Sequence, residues 1–372
     1  MNNNVTGASA MPSSPDAHSR ELPLKFTRLL NATTVNDAGR LALVIANERY
    51  PLIDGIPILL KEHRCYLHRL NRFLETQLQK LEAFRGHPAD RFWAEPESLE
   101  LQKRMIAVRA GLQTDLESAS DPDAWNAPLT SKYDGEANTD IYTRIAWGHL
   151  SVCTGRGAAV FPDAGELYTK LATLVGSWLR PNGVFLDLGC GVGRSVVDAA
   201  RIAPDGLAIG FDLSLSKVVR ARTISQGRAV LRYPVREQEG LIEAQIQGQD
   251  RLNTAFVIGD AAHVLLPDRS IDCILLALVI GLIQDPRDLL REVFRILKPT
   301  GHVIIADPFD AFYDYDCPSD HRLTTNGVLQ LVEQVARGVI VELIGPVPYQ
   351  EHWAHSKTVT YDTMLITVSG QD

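Results

Sequence analysis

The chain has few cysteines and no pattern among them. Cys65, Cys153, Cys190, Cys273 and Cys317 are scattered, odd in number and never spaced as Cys-x-x-Cys. That argues against a disulfide framework and a thiolate metal site, and predicts reduced thiols in a cytoplasmic protein. No apolar run reaches about 18 residues, so no helix is expected to cross a membrane. A basic segment followed by an apolar one is missing near residue 1, and no secretory leader is expected. Basic residues are not in excess either. The net charge is −8, whereas gripping nucleic acid requires a concentrated basic surface, so nucleic acid is not an expected partner. No G-x-x-x-x-G-K-[ST] loop occurs, which excludes P-loop phosphoryl transfer. With 45% hydrophobic and 22% charged residues, the chain has the make-up of a folded protein with one main domain and a smaller one.

One stretch is organised unlike the rest. Val184-Phe185-Leu186 runs into Asp187, glycine then recurs at Gly189, Gly191 and Gly193, and a helical pattern follows from Ser195. An apolar run ending in glycines ahead of a helix predicts the strand–turn–helix that opens a nucleotide-binding α/β sheet. Glycine lets the backbone turn tightly and approach a ligand closely. Helices are expected at Leu167–Leu179, at Ser216–Ile224 and from Pro286. Further strands are expected at Leu207–Asp212, Ala255–Gly259, Leu275–Val279, Val303–Ala306, Val339–Ile344 and Thr363–Val368.

The order Asp187-x-Gly189-x-Gly191-x-Gly193, rather than the G-x-G-x-x-G of dinucleotide enzymes, resembles motif I of class I S-adenosylmethionine-dependent methyltransferases. The resemblance continues through Gly259-Asp260-Ala261, through Leu266-Pro267-Asp268-Arg269-Ser270-Ile271-Asp272, and through Leu297-Lys298-Pro299-Thr300-Gly301, where Thr300 departs from the family's glycine. It spans residues 165–372 and implies a Rossmann-like α/β fold. In that fold a seven-stranded, mostly parallel sheet carries helices on both faces and ends in an antiparallel pair. It also implies S-adenosyl-L-methionine as cofactor, bound at Asp187, Gly189, Gly191 and Gly193, at Asp212 with Leu213, at Asp260 with Ala261, and at Leu276. The resemblance sets Asp212 against the two ribose hydroxyls, which suits a carboxylate because it only accepts hydrogen bonds. Asp260 and the Ala261 amide are implied to meet the adenine.

Ahead of this region, residues 1–20 read as a disordered tail. Residues 21–62 hold short apolar segments ending in Tyr50-Pro51-Leu52-Ile53-Asp54-Gly55-Ile56-Pro57-Ile58-Leu59-Leu60. These resemble the C-terminal half of the zinc-ribbon family of methyltransferase activators, but the segment has no cysteine, so a metal-free, β-rich domain used for packing or partner contact is expected. Residues 63–150 read as a helical connector and substrate cap. Leu67, Leu70, Leu74, Leu78 and Leu81 recur on one helix face. His63, Cys65 and His68 cluster without forming a recognisable metal site. A helix is expected from Pro96 to about Glu117, a loop from Ser118 to Thr139, and pocket residues at Tyr142, Trp147 and His149. The main domain is set at 151–372, with a polar insertion at 227–253 that fits a lid, a partner contact or plain surface.

Methyl transfer from a sulfonium mainly requires alignment of the acceptor, with a base only where the acceptor must lose a proton. Candidate catalytic groups are His149, Asp307 (after the fifth strand), His352 and His355, with His321 and Tyr349 as further acceptor-side candidates. The acceptor is expected to be a small molecule or peptide. The alternatives are tRNA or a translation-related protein, a nicotinamide-dependent oxidoreductase, and a non-catalytic module that binds the cofactor. Self-association stays open.

Overall fold

The computed structural model describes residues 22–37, 40–53, 55–84, 136–148, 151–153, 166–227, 230–236, 240–246, 253–283, 285–309, 323–354 and 357–370. The N-terminal part opens with helix α1 (Leu24–Leu29), followed by four strands: β1 (Thr33–Asp37), β2 (Arg40–Ile45), β3 (Glu48–Ile53) and β4 (Ile56–Leu59). Ala46 and Asn47 both take positive φ, 48° and 69°. Two such residues in succession make the tight turn whose twist suits an antiparallel hairpin, here β2 to β3. Helix α2 (His63–Phe84) follows, with Leu67, Leu70, Leu74 and Leu78 buried as their spacing predicts. The side chain of Leu81, and the helix expected at 96–117, lie outside the described residues.

Helix α3 (Glu136–Trp147) starts inside the stretch expected to be a loop. Its buried Thr139, Thr143, Ile145 and Trp147 explain why: tertiary packing outweighs the polar local composition. Strand β5 (Ser151–Cys153) and helix α4 (Leu167–Trp178) lead into the expected alternation of strand and helix. That alternation runs β6 (Val184–Leu188), α5 (Arg194–Ile202), β7 (Leu207–Asp212) and α6 (Leu215–Ser225). The insertion is a hairpin, β8 (Val230–Arg236) and β9 (Gly240–Ile246), and β5 joins it to form a separate three-stranded sheet. Next come β10 (Thr254–Gly259), β11 (Ile271–Ala277), a short 3-10 turn at Ile280–Leu282, α7 (Pro286–Ile296) and β12 (Leu297–Asp307). Asp285 caps α7 by accepting from the Arg287 amide at 2.9 Å, with Pro286 in the first turn where no donor is needed.

The chain closes with α8 (Thr325–Val335), β13 (Val339–Ala354) and β14 (Lys357–Gly370). Helix α8 is not among the sequence expectations, although Thr324 caps it by accepting from the Gly327 amide at 3.1 Å. The last two strands are far longer than expected. The Lys298-Pro299-Thr300-Gly301 turn survives as a bulge inside β12: Ile271 pairs with Leu297 but Cys273 pairs with His302.

Eleven strands form one mixed sheet in the order β1-β2-β3-β4-β10-β7-β6-β11-β12-β14-β13. The sheet is thus larger than the seven strands expected. Strand β4 runs parallel to β10, with Ile58 opposite Ile258 and Leu59 opposite Gly259. The physical reason lies in β4 itself, whose four residues are all buried, so it has no solvent face and must pack as an inner strand. Strands β6, β7 and β10 are nearly continuous apolar runs for the same reason. On one face of the sheet α2, α4, α5 and α6 bury Leu70, Leu171, Val196 and Val218. On the other, α1, α7 and α8 bury Phe26, Leu290, Val293 and Val332. Among the described residues no helix is long and apolar enough to cross a membrane.

Because β4 is an inner strand, the N-terminal strands are expected to melt with the rest. Ile58→Ala, at a fully buried position, should cost about 2–5 kcal/mol and lower the midpoint of a single calorimetric transition. A separate low-temperature transition, with the main one unmoved, would contradict this continuity.

Candidate functional site

The carboxyl ends of β6, β7 and β10 lie side by side, and an acidic residue sits at or next to each: Asp187, Asp212 and Asp260. The glycines after β6 shape the turn between them. Gly189, Gly191 and Gly193 have φ of +87°, +52° and +78°, the left-handed region that side chains rarely enter. Their surroundings differ. A Cβ on Gly189 would come within 2.7 Å of Val279, and one on Gly193 within 2.7 Å of Ala221 and 2.9 Å of Phe256. A Cβ on Gly191 would meet nothing within 4 Å. Gly193 therefore serves close packing of α5 on the sheet, while Gly191 borders open space. The Gly189 and Cys190 amides donate to the Phe211 carbonyl at 2.8 and 2.9 Å, tying the turn to β7.

The three carboxylates are held differently. Asp212 accepts from the Gly191 amide through Oδ2 and from the Ser214 amide through Oδ1, each at 2.8 Å. Asp260 accepts from the Ala262 amide at 2.9 Å through Oδ1, and its Oδ2 lies 3.1 Å from Nδ1 of His263. Each of these oxygens keeps a second lone pair for a ligand. Asp187 is 3% exposed, and its Oδ1 has no hydrogen-bond partner among the described residues. Burial, and after it the charge of Asp212, push its carboxyl up to about 8 from the ordinary 3.8. Near neutral pH this group holds its proton, because a bare buried carboxylate costs more than a neutral acid. The Cys190 thiol is likewise pushed up by burial first and then by Asp212 and Asp187, so it is no thiolate nucleophile.

All three acidic residues line one cavity of about 290 Å³. Gly189, Gly191, Leu213 and Ala261 join them there, as does Tyr142. Leu276 does not: it is fully buried in the core cluster on the α7 side, and its neighbours Ala277 and Leu278 face the cavity instead. Gly193 is also absent from the lining, for the packing reason above. Asp307 is 1% exposed but accepts from the Phe309 amide at 3.0 Å and lies outside the cavity wall. Trp147 is fully buried, with its indole N–H donating to the Val192 carbonyl at 3.1 Å, so it packs under the turn rather than in the pocket. His149, His321 and His355 lie outside the described residues. His352 is placed only as a β13 backbone position opposite Thr358.

Residues that no motif announced complete the wall: Tyr168 from α4, Arg194 from α5, Lys217 from α6 and Glu351 from β13. Tyr349, also on β13, lines it too. The Arg194 guanidinium sits 5.4 Å from the centroids of both Trp147 and Tyr168, and pairs with Asp198 at 2.7 Å. Leu278 takes φ +55°, and its amide N–H donates to the Ala306 carbonyl at 2.8 Å. Such backbone strain in a bulky residue concentrates at functional sites. Tyr66 of α2 is fully buried and donates to the Leu213 carbonyl at 3.0 Å, so the N-terminal part touches the loop that carries Asp212. Among the described residues no group of three or more His, Cys, Asp or Glu is arranged to hold a metal.

The glycines separate in a stability measurement. Gly193→Ala should lower the melting midpoint by several degrees, because Ala221 and Phe256 must move. Gly191→Ala should cost only about 1–2 kcal/mol of backbone strain, leaving a folded protein. A Gly193→Ala midpoint above that of Gly191→Ala would reverse these roles.

Part of the chain is similar to known methyltransferases. Residues 179–326 match a family model described as a methyltransferase domain. Over 147 residues the chain is 31% identical to an uncharacterised 37.1 kDa protein in a transposon of Streptomyces fradiae, covering 39% of this chain and 36% of that one. Over 137 residues it is 30% identical to a demethylmenaquinone methyltransferase of Symbiobacterium thermophilum, covering 36% of this chain and 47% of that one. The chain thus spans less than half the length of these curated relatives. A solved methyltransferase from Aquifex aeolicus aligns at 16% identity with a TM-score of 0.38, covering 54% of this chain and 88% of that one.

Proposed function

We propose that the protein is an S-adenosylmethionine-dependent methyltransferase acting on a small molecule or peptide. The observation that carries the reading is the convergence of Asp187, Asp212 and Asp260 with Gly189 and Gly191 on one cavity at the ends of adjacent parallel strands. Ligands bind at that edge of open α/β sheets. The match of residues 179–326 to a methyltransferase domain supports it.

The residues fit the cofactor in two respects. Gly191 leaves the space that a Cβ would begin to fill. Asp187 offers a buried oxygen that nothing among the described residues satisfies, which suits a ligand bearing positive charge. In this reading Asp260 and the Ala261 amide hold the adenine, Asp212 takes the ribose diol, and Asp187 faces the methionine end. S-adenosylmethionine, when bound, supplies a methyl group already activated by its sulfonium charge. The chain then has to fix the acceptor in line and keep water out, and alignment of this kind can supply about 7–11 kcal/mol. Leu278, Val279, Leu282 and Ile283 form the apolar part of the wall that excludes water.

Two measurements test the assignment. Calorimetry should show micromolar binding of S-adenosylmethionine and S-adenosylhomocysteine, weakened at least tenfold in Asp212→Ala, and no comparable binding of NADH. Tight NADH binding would favour an oxidoreductase.

The second measurement concerns Asp187, raised to about 8. A cationic ligand beside it favours the ionised form, so binding should expel a proton below that pH, and affinity for S-adenosylmethionine should rise as pH climbs towards 8. In the unliganded protein the sign is opposite for folding. The folded state holds a proton that the unfolded state has released, so stability should fall as pH rises from about 4 to 8. Asp187→Asn should remove both dependences. Proton release that is unchanged in this variant would clear Asp187 of the role.

A further inference from the structure

The sheet order separates the cavity into two ends. Asp260, Asp212 and Asp187 belong to β10, β7 and β6, on one side of β11. On the other side, past the strained Leu278 at the end of β11, the wall is built by Tyr349 and Glu351 from β13, with Tyr168 and Tyr142 above them from α4 and α3. Tyr349 and Glu351 are two apart on a strand and so share a face. Both are 1% exposed. The Tyr349 hydroxyl feels both Tyr168 and Glu351 as charged neighbours, and the rings of Tyr168 and Tyr349 meet edge to face at 6.3 Å. Burial, and then neighbours that include Glu351, push the Tyr349 hydroxyl well above its ordinary range, so it acts as a neutral donor.

The aromatic faces reveal which acceptor chemistry this end favours. Lys217 Nζ lies 4.5 Å from the Tyr142 centroid, and Arg194 lies 5.4 Å from that of Tyr168. Two of the tyrosine rings therefore already carry cations of the protein itself. Both cations would stabilise a hydroxyl that gains negative charge in the transition state.

We propose that this end of the cavity is the acceptor subsite, that it takes a hydroxyl-bearing aromatic molecule, and that Glu351 is the base that removes the hydroxyl proton. The proposal rests on the methyltransferase reading and specifies its acceptor side. The acceptor oxygen bonds to the methyl carbon as the carbon–sulfur bond breaks, the electron pair stays on the departing thioether sulfur, and the acceptor's proton passes to the Glu351 carboxylate and on to solvent. Tyr349 is a positioning residue that orients Glu351.

Calorimetry on the full chain saturated with S-adenosylhomocysteine tests this with three small probes: 4-methylphenol, its methyl ether 4-methylanisole, and benzylamine. The wild type should bind 4-methylphenol at least tenfold more tightly than either of the others. Glu351→Gln should erase the preference over 4-methylanisole while leaving S-adenosylhomocysteine affinity and the melting midpoint within about twofold and a few degrees. Tyr349→Phe, which keeps the ring, should reduce that preference several-fold and serves if Glu351→Gln does not fold. Tighter binding of benzylamine, no preference for the phenol in the wild type, or an undiminished preference in both variants would overturn the proposal. Failure of the wild type to bind S-adenosylhomocysteine would instead refute the methyltransferase reading itself.

Discussion

Three carboxyl groups meet at the ends of three adjacent parallel strands, and the rest of the site follows from how their repulsion is relieved. Asp212 and Asp260 are relieved by backbone amides: Gly191 and Ser214 donate to the first, Ala262 to the second. Amide dipoles of this kind stabilise a carboxylate without adding a mobile charge. Asp187 receives no such help at Oδ1 and keeps its proton instead. Asp187 thus keeps a charge in reserve, which a cationic ligand can draw out. The turn between β6 and α5 must be glycine-rich so that its amides can point at Asp212 while its outer side stays open.

The N-terminal strands take part in that arrangement. β4 pairs with β10 at Ile258 and Gly259, one residue before Asp260. Tyr66, just past β4, holds the Leu213 carbonyl, one residue after Asp212. Two of the three acidic positions are therefore braced by residues 56–66 rather than by the α/β core alone. A strand added to a sheet edge satisfies the amides and carbonyls of that edge. It also limits how far the loop beyond it can move.

The part of the site made by local sequence was legible. Asp187, Gly189, Gly191, Asp212, Leu213, Asp260 and Ala261 sit at strand ends and in the turns that follow them, and all reach the cavity. Where a residue's environment is set by a distant element, the sequence misled or stayed silent. Leu276 carries the same apolar character as Ala277 and Leu278, and only the alternation of β11 between two faces decides that it enters the core. Gly193 looks like its two predecessors until Ala221 and Phe256 are seen against it. Asp307 stands at the correct sheet edge, yet its oxygen is used by the Phe309 amide. The continuity of β4 with β10 could not be read because pairing between strands some 200 positions apart leaves no local mark.

The same contrast explains why the two halves of the cavity differ in kind. Binding a nucleoside requires backbone amides and carboxylates at strand ends, and these are encoded in short contiguous motifs. The opposite wall is assembled from α3, α4, α5, α6 and β13, each giving one to three side chains, with no motif shared among them. Tyr168 and Tyr349 come together only because β13 folds back beside β14 and passes under α4. Such a wall can change its polar groups singly without disturbing the strand-end turns, since no turn amide is committed to it. Glu351 stands in a strand whose backbone is already paired with β14, so its register on β13 turns it towards the cavity.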